Sequence, residues 1–369
     1  MRILVTGGAG FVGSHLVDAL LERGHRVRVY DSLERQVHPG GRLPEYLAKD
    51  IEFVHGDCRD RERLASAMEG MDAIFHEAAY VGVGQSMYEI RRYCEGNTMG
   101  AAVVLEGVLK RRSRIRKLIV ASSMSIYGEG AYMTRGGEPR APRLRQRAAL
   151  ERRIWDPLEN DGEPLRPIPT PEGKPLHPTS VYAVTKRDHE ELFLSVGYAY
   201  RIPTIALRYF NVYGPRQALS NPYTGVGAIF SSRLLNGKPP VIFEDGAQTR
   251  DFIHVSDIVQ ANIRAMETDT ADYEAINVGT GRATSIAELA ALIGSALGSD
   301  LEPEVTGSFR EGDIRHCYAD ISKARALLEY TPRVDLKDGV RELVEWVRSQ
   351  AAEDRFDVAR AELARQGLA

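Results

Sequence analysis

The chain has almost no cysteine: Cys58, Cys94 and Cys317 are its three, odd in number and without motif spacing. That excludes a disulfide framework, fits a reducing cytoplasm, and leaves each thiol as a buried or incidental side chain. The nine histidines form no metal-spaced cluster, so no metal is expected. Neither sign of charge is in excess, with 48 basic against 51 acidic residues and a net charge of −3, and nothing in that total points to nucleic acid or a membrane surface. No apolar run is long enough to span a bilayer. The N-terminus does not read as a signal peptide, because glycines interrupt its apolar stretch. What is present, 43 % apolar and 27 % charged residues over 369 positions, is the composition of a soluble globular enzyme with two lobes or one enlarged domain.

The first thirteen residues carry the strongest local signal. An apolar run from Ile3 to Val5 leads through Thr6-Gly7-Gly8-Ala9-Gly10-Phe11-Val12-Gly13 into a helical pattern at Val12, Leu16, Ala19 and Leu20. The spacing of Gly7, Gly10 and Gly13 suits a sharp strand-to-helix turn that approaches a pyrophosphate closely. The helix N-terminus then offers free N–H groups and a positive dipole end to the phosphates. A second strand, Arg26 to Tyr30, ends at Asp31, eighteen residues beyond Gly13, where a carboxylate accepts bonds from ribose hydroxyls. Asp31 would repel a 2′-phosphate. The expected cofactor is therefore NAD rather than NADP.

Further strands are expected at Ile51–His55, Asp72–His76 and Lys117–Ala121, with helices at about 61–68 and 88–110 between them. The fifth strand delivers Ser122-Ser123-Met124-Ser125. This alternation predicts an α/β fold: a doubly wound parallel sheet of Rossmann type. Residues 130–178 break the pattern. They hold nine of the 18 prolines and an arginine-rich run from Arg135 to Arg153, and read either as a mobile surface loop or as a lid whose arginines meet an anionic substrate. A helix then opens at Ser180-Val181-Tyr182 and runs to about Tyr200, followed by a strand at Thr204–Arg208. Past Tyr209 the alternation loosens into helices near 225–236, 255–268 and 285–297, the last with a Ser285/Glu288 capping box, and strands near 241–243 and 274–278. The expected division is an NAD domain at 1–208 carrying the 130–178 insertion, a smaller C-terminal α/β substrate lobe at 209–350 from which 240–278 returns to the NAD domain, and a charged helical tail at 351–369 without evident chemistry.

Tyr182 and Lys186 stand at i and i+4, so one helix face presents both. A free tyrosine has a pKa near ~10, so serving as a base at neutral pH demands a shift of roughly three units, or about 4 kcal/mol. The Lys186 ammonium and the positive nicotinamide ring supply charge of the right sign. Ser123, at the strand end, is placed to bond the same substrate oxygen.

With these residues in hand, the sequence resembles the extended short-chain dehydrogenase/reductase family and, within it, the sugar-nucleotide epimerases. The resemblance runs through Thr6–Gly13, Gly56-Asp57, His76–Ala79, Ser122–Gly128, Tyr182–Lys186, Arg208–Pro215, Arg250–Val255, Asn277–Gly281, and Arg310 with Gly312-Asp313. It implies a catalytic set of Ser123, Tyr182 and Lys186. On the cofactor side it implies Gly7, Gly10, Phe11, Val12, Gly13, Asp31, Asp57 at the adenine, Cys58, Ala78 and Ala79. Tyr80, Asn97, Ser122, Tyr209, Asn211 and Val212 are implied there too, with Lys186 also on the nicotinamide ribose. On the substrate side it implies Val83, Ser123, Ser125 and Asp313, with Asn211, Arg250 and Arg310 holding the diphosphate and nucleoside. It also implies a homodimer through the Asn97 and Tyr182 helices.

Relatives that eliminate water carry Asp-Glu where this chain has Met124-Ser125, and xylose-forming decarboxylases carry Glu at the position of Ser125. Neither residue here titrates, which leaves 4-epimerisation through a transient 4-keto sugar. Val81–Met87, Pro169–Glu172 and Asn221–Val226 look like the dTDP-L-rhamnose 4-epimerase branch, with UDP-glucose or UDP-glucuronate as the other substrates considered. A nucleotide-sugar oxidoreductase and a non-catalytic NAD-binding regulator are the rival classes.

Overall fold

The computed structural model describes residues 1–219, 221, 223, 225–350, 354 and 356–368. Pro222 and Thr224 of the Asn221–Val226 motif, and Glu353 and Ala369 of the tail, lie outside the described residues.

Seven parallel strands form the central sheet: β1 Arg2–Thr6, β2 Arg26–Asp31, β3 Glu52–His55, β4 Ala73–His76, β5 Lys117–Ser123, β6 Thr204–Tyr209 and β7 Ala275–Val278. Their order is β7-β6-β5-β4-β1-β2-β3, every neighbour pair is parallel, and the order reverses between β1 and β4. This is the doubly wound Rossmann arrangement, whose ligand crevice lies at the carboxyl ends of the strands beside that reversal.

Alternate residues of the buried strands feed two cores, as the period of two requires. Ile3, Val5, Phe75 and Ile119 pack on one face with Leu16 and Leu20 of the Phe11–Glu22 helix and Ile258 of the Val255–Glu267 helix. Leu4, Ile74, Leu118 and Val120 pack on the other with Val104 of the Gly100–Leu109 helix and Phe193 of the Val181–Tyr200 helix. No helix among the described residues is long and apolar enough to cross a membrane.

The 240–278 stretch is divided between the two halves. Val241–Ile242 pairs with Glu304–Val305, while the Val255–Glu267 helix and β7 join the main sheet. A third core, with Phe230, Leu289 and Val344, gathers the helices Val226–Leu235, Ile286–Leu297 and Leu336–Arg348. Ser285 and Glu288 make the expected capping box.

The 130–178 insertion is not the loop its prolines suggest. Ala131–Met133 pairs antiparallel with both Pro139–Arg140 and Arg166–Ile168, and a short helix covers Arg147–Glu151. Of its arginines Arg145 is spent inside the protein, while Arg135, Arg140, Arg143, Arg147, Arg152, Arg153 and Arg166 are exposed. Arg145, only 3 % exposed, donates to Glu244 at 2.7 and 3.0 Å and to the carbonyl of Asp313 at 3.0 Å. A buried guanidinium that is already paired cannot also serve as a lid's anion receptor.

One buried ion pair fixes the Val181–Tyr200 helix on the sheet. Arg208 of β6 donates to both oxygens of Glu190, at 2.9 and 2.5 Å, and the Ser122 hydroxyl of β5 donates to the same carboxylate at 2.7 Å. Replacing Glu190 by Ala strands Arg208 without its counter-charge in the interior. The expected loss is about 3–5 kcal/mol of unfolding free energy, read by urea denaturation.

Candidate active site

The β1 turn brings the chain within touching distance of the end of β4. Gly7 has φ of 71°, and a Cβ there would lie 2.7 Å from the backbone of Ala78. A Cβ on Gly13 would sit 2.2 Å from the Gly7 carbonyl oxygen, so the helix starts pressed onto the turn. Gly10 differs: an added Cβ would meet only the Gly7 carbonyl, at 3.3 Å, and otherwise open cavity. Asp31 holds this cradle from the side, accepting from the backbone N–H of Ala9 at 3.0 Å and of Leu33 at 2.9 Å. The result is a bare-backbone pocket at a helix N-terminus with a carboxylate at the end of the next strand, which fits a dinucleotide.

Ser123 ends β5, and its hydroxyl accepts from the Ser125 hydroxyl at 2.9 Å and the Ser125 N–H at 3.2 Å. Ser180 caps the next helix by accepting from the Ala183 N–H at 3.1 Å, and the Tyr182 N–H donates to the Ser86 hydroxyl at 3.0 Å. These bonds set Tyr182 over the crevice. Burial pushes its phenol up to about 12, opposed by a hydrogen bond with Ser123. Lys186 donates to the Ala121 carbonyl, and burial pulls its ammonium down. Glu77 is buried beside it and pushed up by the same desolvation, while accepting from the Tyr209 hydroxyl at 2.9 Å. At the other end of the crevice, Arg59 holds Asp57 below the ordinary carboxylate range through bonds at 2.7–2.9 Å, and burial pushes the Cys58 thiol up to about 12. Glycine cradle and Ser–Tyr–Lys set line one cavity of about 690 Å³.

Residues 3–148 and 160–279 match the profile of the NAD dependent epimerase/dehydratase family. The chain belongs to that family. NAD is the cofactor such enzymes use, and the cradle just described fits it. Among similar proteins, the dTDP-L-rhamnose 4-epimerase of Burkholderia thailandensis is 34 % identical over 351 residues, covering 95 % of both chains. The solved structure of a UDP-glucose 4-epimerase with UDP-glucose from Thermotoga maritima superposes with a TM-score of 0.78 at 34 % identity, covering 95 % of this chain and 99 % of that one. The UDP-glucuronic acid 4-epimerase of Bacillus cereus, in complex with UDP-glucuronic acid and NAD, gives a TM-score of 0.75 at 29 % identity, covering 95 % and 99 %.

Within this epimerase/dehydratase fold, the sequence-predicted residues converge with one exception. On the cofactor side Gly7, Gly10, Phe11, Val12, Gly13, Asp31, Asp57, Cys58, Ala78, Ala79, Tyr80, Ser122, Tyr209, Asn211 and Val212 all line the cavity. On the substrate side Val83, Ser123, Ser125, Arg250, Arg310 and Asp313 do so. Asn97 does not line the cavity. Its amide accepts from the Tyr80 N–H at 2.7 Å and donates to the Tyr80 carbonyl at 3.1 Å and the Thr185 hydroxyl at 2.9 Å. It braces the loop after β4 against the tyrosine-bearing helix. The insertion 130–178 contributes no lining residue among the described ones. Glu77 was overlooked as a site residue, although it stands between His76 and Ala78 in the motif itself. The C-terminal helix Phe356–Arg365 was overlooked as well, and its residues face the same cavity.

Gly10 provides a test of the cradle. Because its added side chain enters open cavity, Gly10→Val is expected to fold normally by circular dichroism yet bind NAD at least about tenfold more weakly, or ~1.4 kcal/mol. Calorimetric titration of NAD checks this.

Proposed function

We propose that the protein is a nucleotide-diphosphate-sugar 4-epimerase whose substrate is a dTDP-linked 6-deoxyhexose, dTDP-L-rhamnose. The observation that carries the reaction is the content of the wall opposite the glycine cradle: Ser123, Tyr182 and Lys186 stand together, and the position beside Ser123 is filled by the Ser125 hydroxyl. Elimination or decarboxylation there needs a group that titrates, and Ser125 does not. The dTDP-sugar reading is supported by the Val81–Met87 motif and by the relative from Burkholderia thailandensis. The solved relatives bound to UDP-glucose and UDP-glucuronic acid favour UDP-sugars as the second reading.

In this mechanism Tyr182 takes the proton from the sugar 4-hydroxyl, and Ser123, hydrogen-bonded to the phenol, holds that hydroxyl in line. NAD, held by the Gly7–Gly13 turn and Asp31, would supply reversible hydride acceptance at C4, and inversion requires the sugar to turn about its diphosphate link between the two transfers. The phenol, raised by burial, needs added positive charge to become a base, and Lys186 together with the nicotinamide ring meets that need. Tyr182 then returns the proton to the inverted oxygen, so no net oxidation occurs and the cofactor stays bound.

The decisive experiment is proton NMR of the purified protein with dTDP-L-rhamnose, and separately with UDP-glucose and UDP-glucuronate, without added cofactor. A C4 epimer from dTDP-L-rhamnose is expected; net reduction of added NAD without an epimer would replace this reading by a dehydrogenase. Tyr182→Phe should retain NAD and lower kcat by about 10²–10⁴-fold.

A homodimer through the Gly100–Leu109 and Val181–Tyr200 helices belongs to the same proposal. Met99 and Val184 are 55 % and 44 % exposed beside and on those helices, which suits an interface. Light scattering should find a dimer for the parent protein and a monomer for Val184→Arg.

A further inference from the structure

The C-terminal helix Phe356–Arg365 is a wall of the cavity. Phe356, Ala359, Arg360 and Leu363 all line it, and their i, i+3, i+4, i+7 spacing places them on one helix face. The helix is tied down at both sides of the opening. Asp357 pairs with Arg233 at 3.1 Å and Lys238 at 3.0 Å, while the buried Asp354 pairs with the same two cations at 3.5 and 3.0 Å. The Arg233 guanidinium lies 4.8 Å above the Phe356 ring. Across the opening, Leu363 covers the bare face of Gly84, where a Cβ would come within 3.0 Å of a leucine methyl. The Leu368 carbonyl accepts from the Glu311 N–H at 3.4 Å, next to Arg310.

Four arginines line the cavity: Arg92, Arg250, Arg310 and Arg360. Three are already committed. Arg92 pairs with Glu89 at 2.5 Å and Glu34 at 3.4 Å. Arg250 donates to the carbonyls of Thr249, Ile314 and Arg315 at 2.7–3.0 Å. Arg310 pairs with Asp313 at 2.7 Å and stacks on Phe243. Arg360 alone of the four has no hydrogen bond or ion pair among the described residues, and it sits in an otherwise apolar, cavity-facing stripe. Arg360 is exposed on that stripe, so its guanidinium is free to meet an anion that enters the cavity from solution.

We propose that Arg360 is a substrate-binding residue whose guanidinium meets the diphosphate of the nucleotide sugar, which makes the C-terminal helix part of the substrate site. This rests on the nucleotide-sugar reading above. The test is calorimetric titration of UDP, of dTDP and of UDP-glucuronate into the full-length, NAD-loaded protein, its Arg360→Gln variant and its Arg360→Lys variant. Arg360→Gln is expected to weaken both diphosphates roughly tenfold, with partial recovery in Arg360→Lys and unchanged NAD content. In turnover the same change should raise KM and leave kcat alone, since the diphosphate is held equally in ground and transition states. Unchanged affinity for both diphosphates in Arg360→Gln overturns the proposal. So does a loss confined to UDP-glucuronate, which would assign Arg360 to the sugar carboxylate. A parent protein that binds neither diphosphate overturns the nucleotide-sugar reading itself, and this inference with it.

Discussion

The site depends on the ion pair between Glu190 and Arg208. Tyr182, Lys186 and Glu190 are spaced i, i+4 and i+8, so one face of one helix carries the proposed base, its ammonium neighbour and the anchoring carboxylate. Glu190 is engaged twice by Arg208 and once by Ser122, whose neighbour Ser123 closes the catalytic set. Arg208 also donates to the Tyr127 hydroxyl at 2.6 Å, which in turn donates to Asn277 of β7 at 2.8 Å. Three strands and the helix are thereby held in one register. A planar, bidentate guanidinium fixes angle as well as distance, which a point charge would not.

Around that anchor the crevice wall disfavours charge. Desolvation raises the Tyr182 phenol and the Glu77 carboxyl and lowers the Lys186 ammonium, each toward its neutral form. Lys186 and Glu77 oppose that desolvation, each favouring the charged form of the other. In the proposed reaction the positive nicotinamide ring would add to the charge that favours the Tyr182 phenolate.

The Rossmann half was legible in the sequence because its signals are local. Strands buried on both faces are short apolar runs, and the turn between β1 and its helix needs glycine because a Cβ on Gly7 or Gly13 would come within 2.7 or 2.2 Å of neighbouring backbone. What stayed hidden depends on distant partners. The proline-rich insertion forms two- and three-residue strands, too short to show a period of two. Asn97 reads as a polar residue on a helix, but the stretch Cys94–Met99 is a π-helix, and its amide turns to the Tyr80 backbone instead of the crevice. The charged helical tail shows no chemistry in the sequence, since Asp354 and Asp357 show their role only against Arg233 and Lys238, more than a hundred residues earlier. Its apolar stripe at 356, 359 and 363 was present all along, masked by the charged residues between.

Arg145 and Arg147 tie the insertion to Glu244, Glu311 and the Asp313 carbonyl, while no described residue of the insertion itself lines the crevice. The family match breaks off between residues 148 and 160, inside this same segment. At its far edge a tight reversal joins Glu159 to Glu163, with the exposed Gly162 at a φ of 89°. No described residue of that reversal lines the crevice, so it is a place where a fluorophore or surface tether is expected to leave turnover undisturbed.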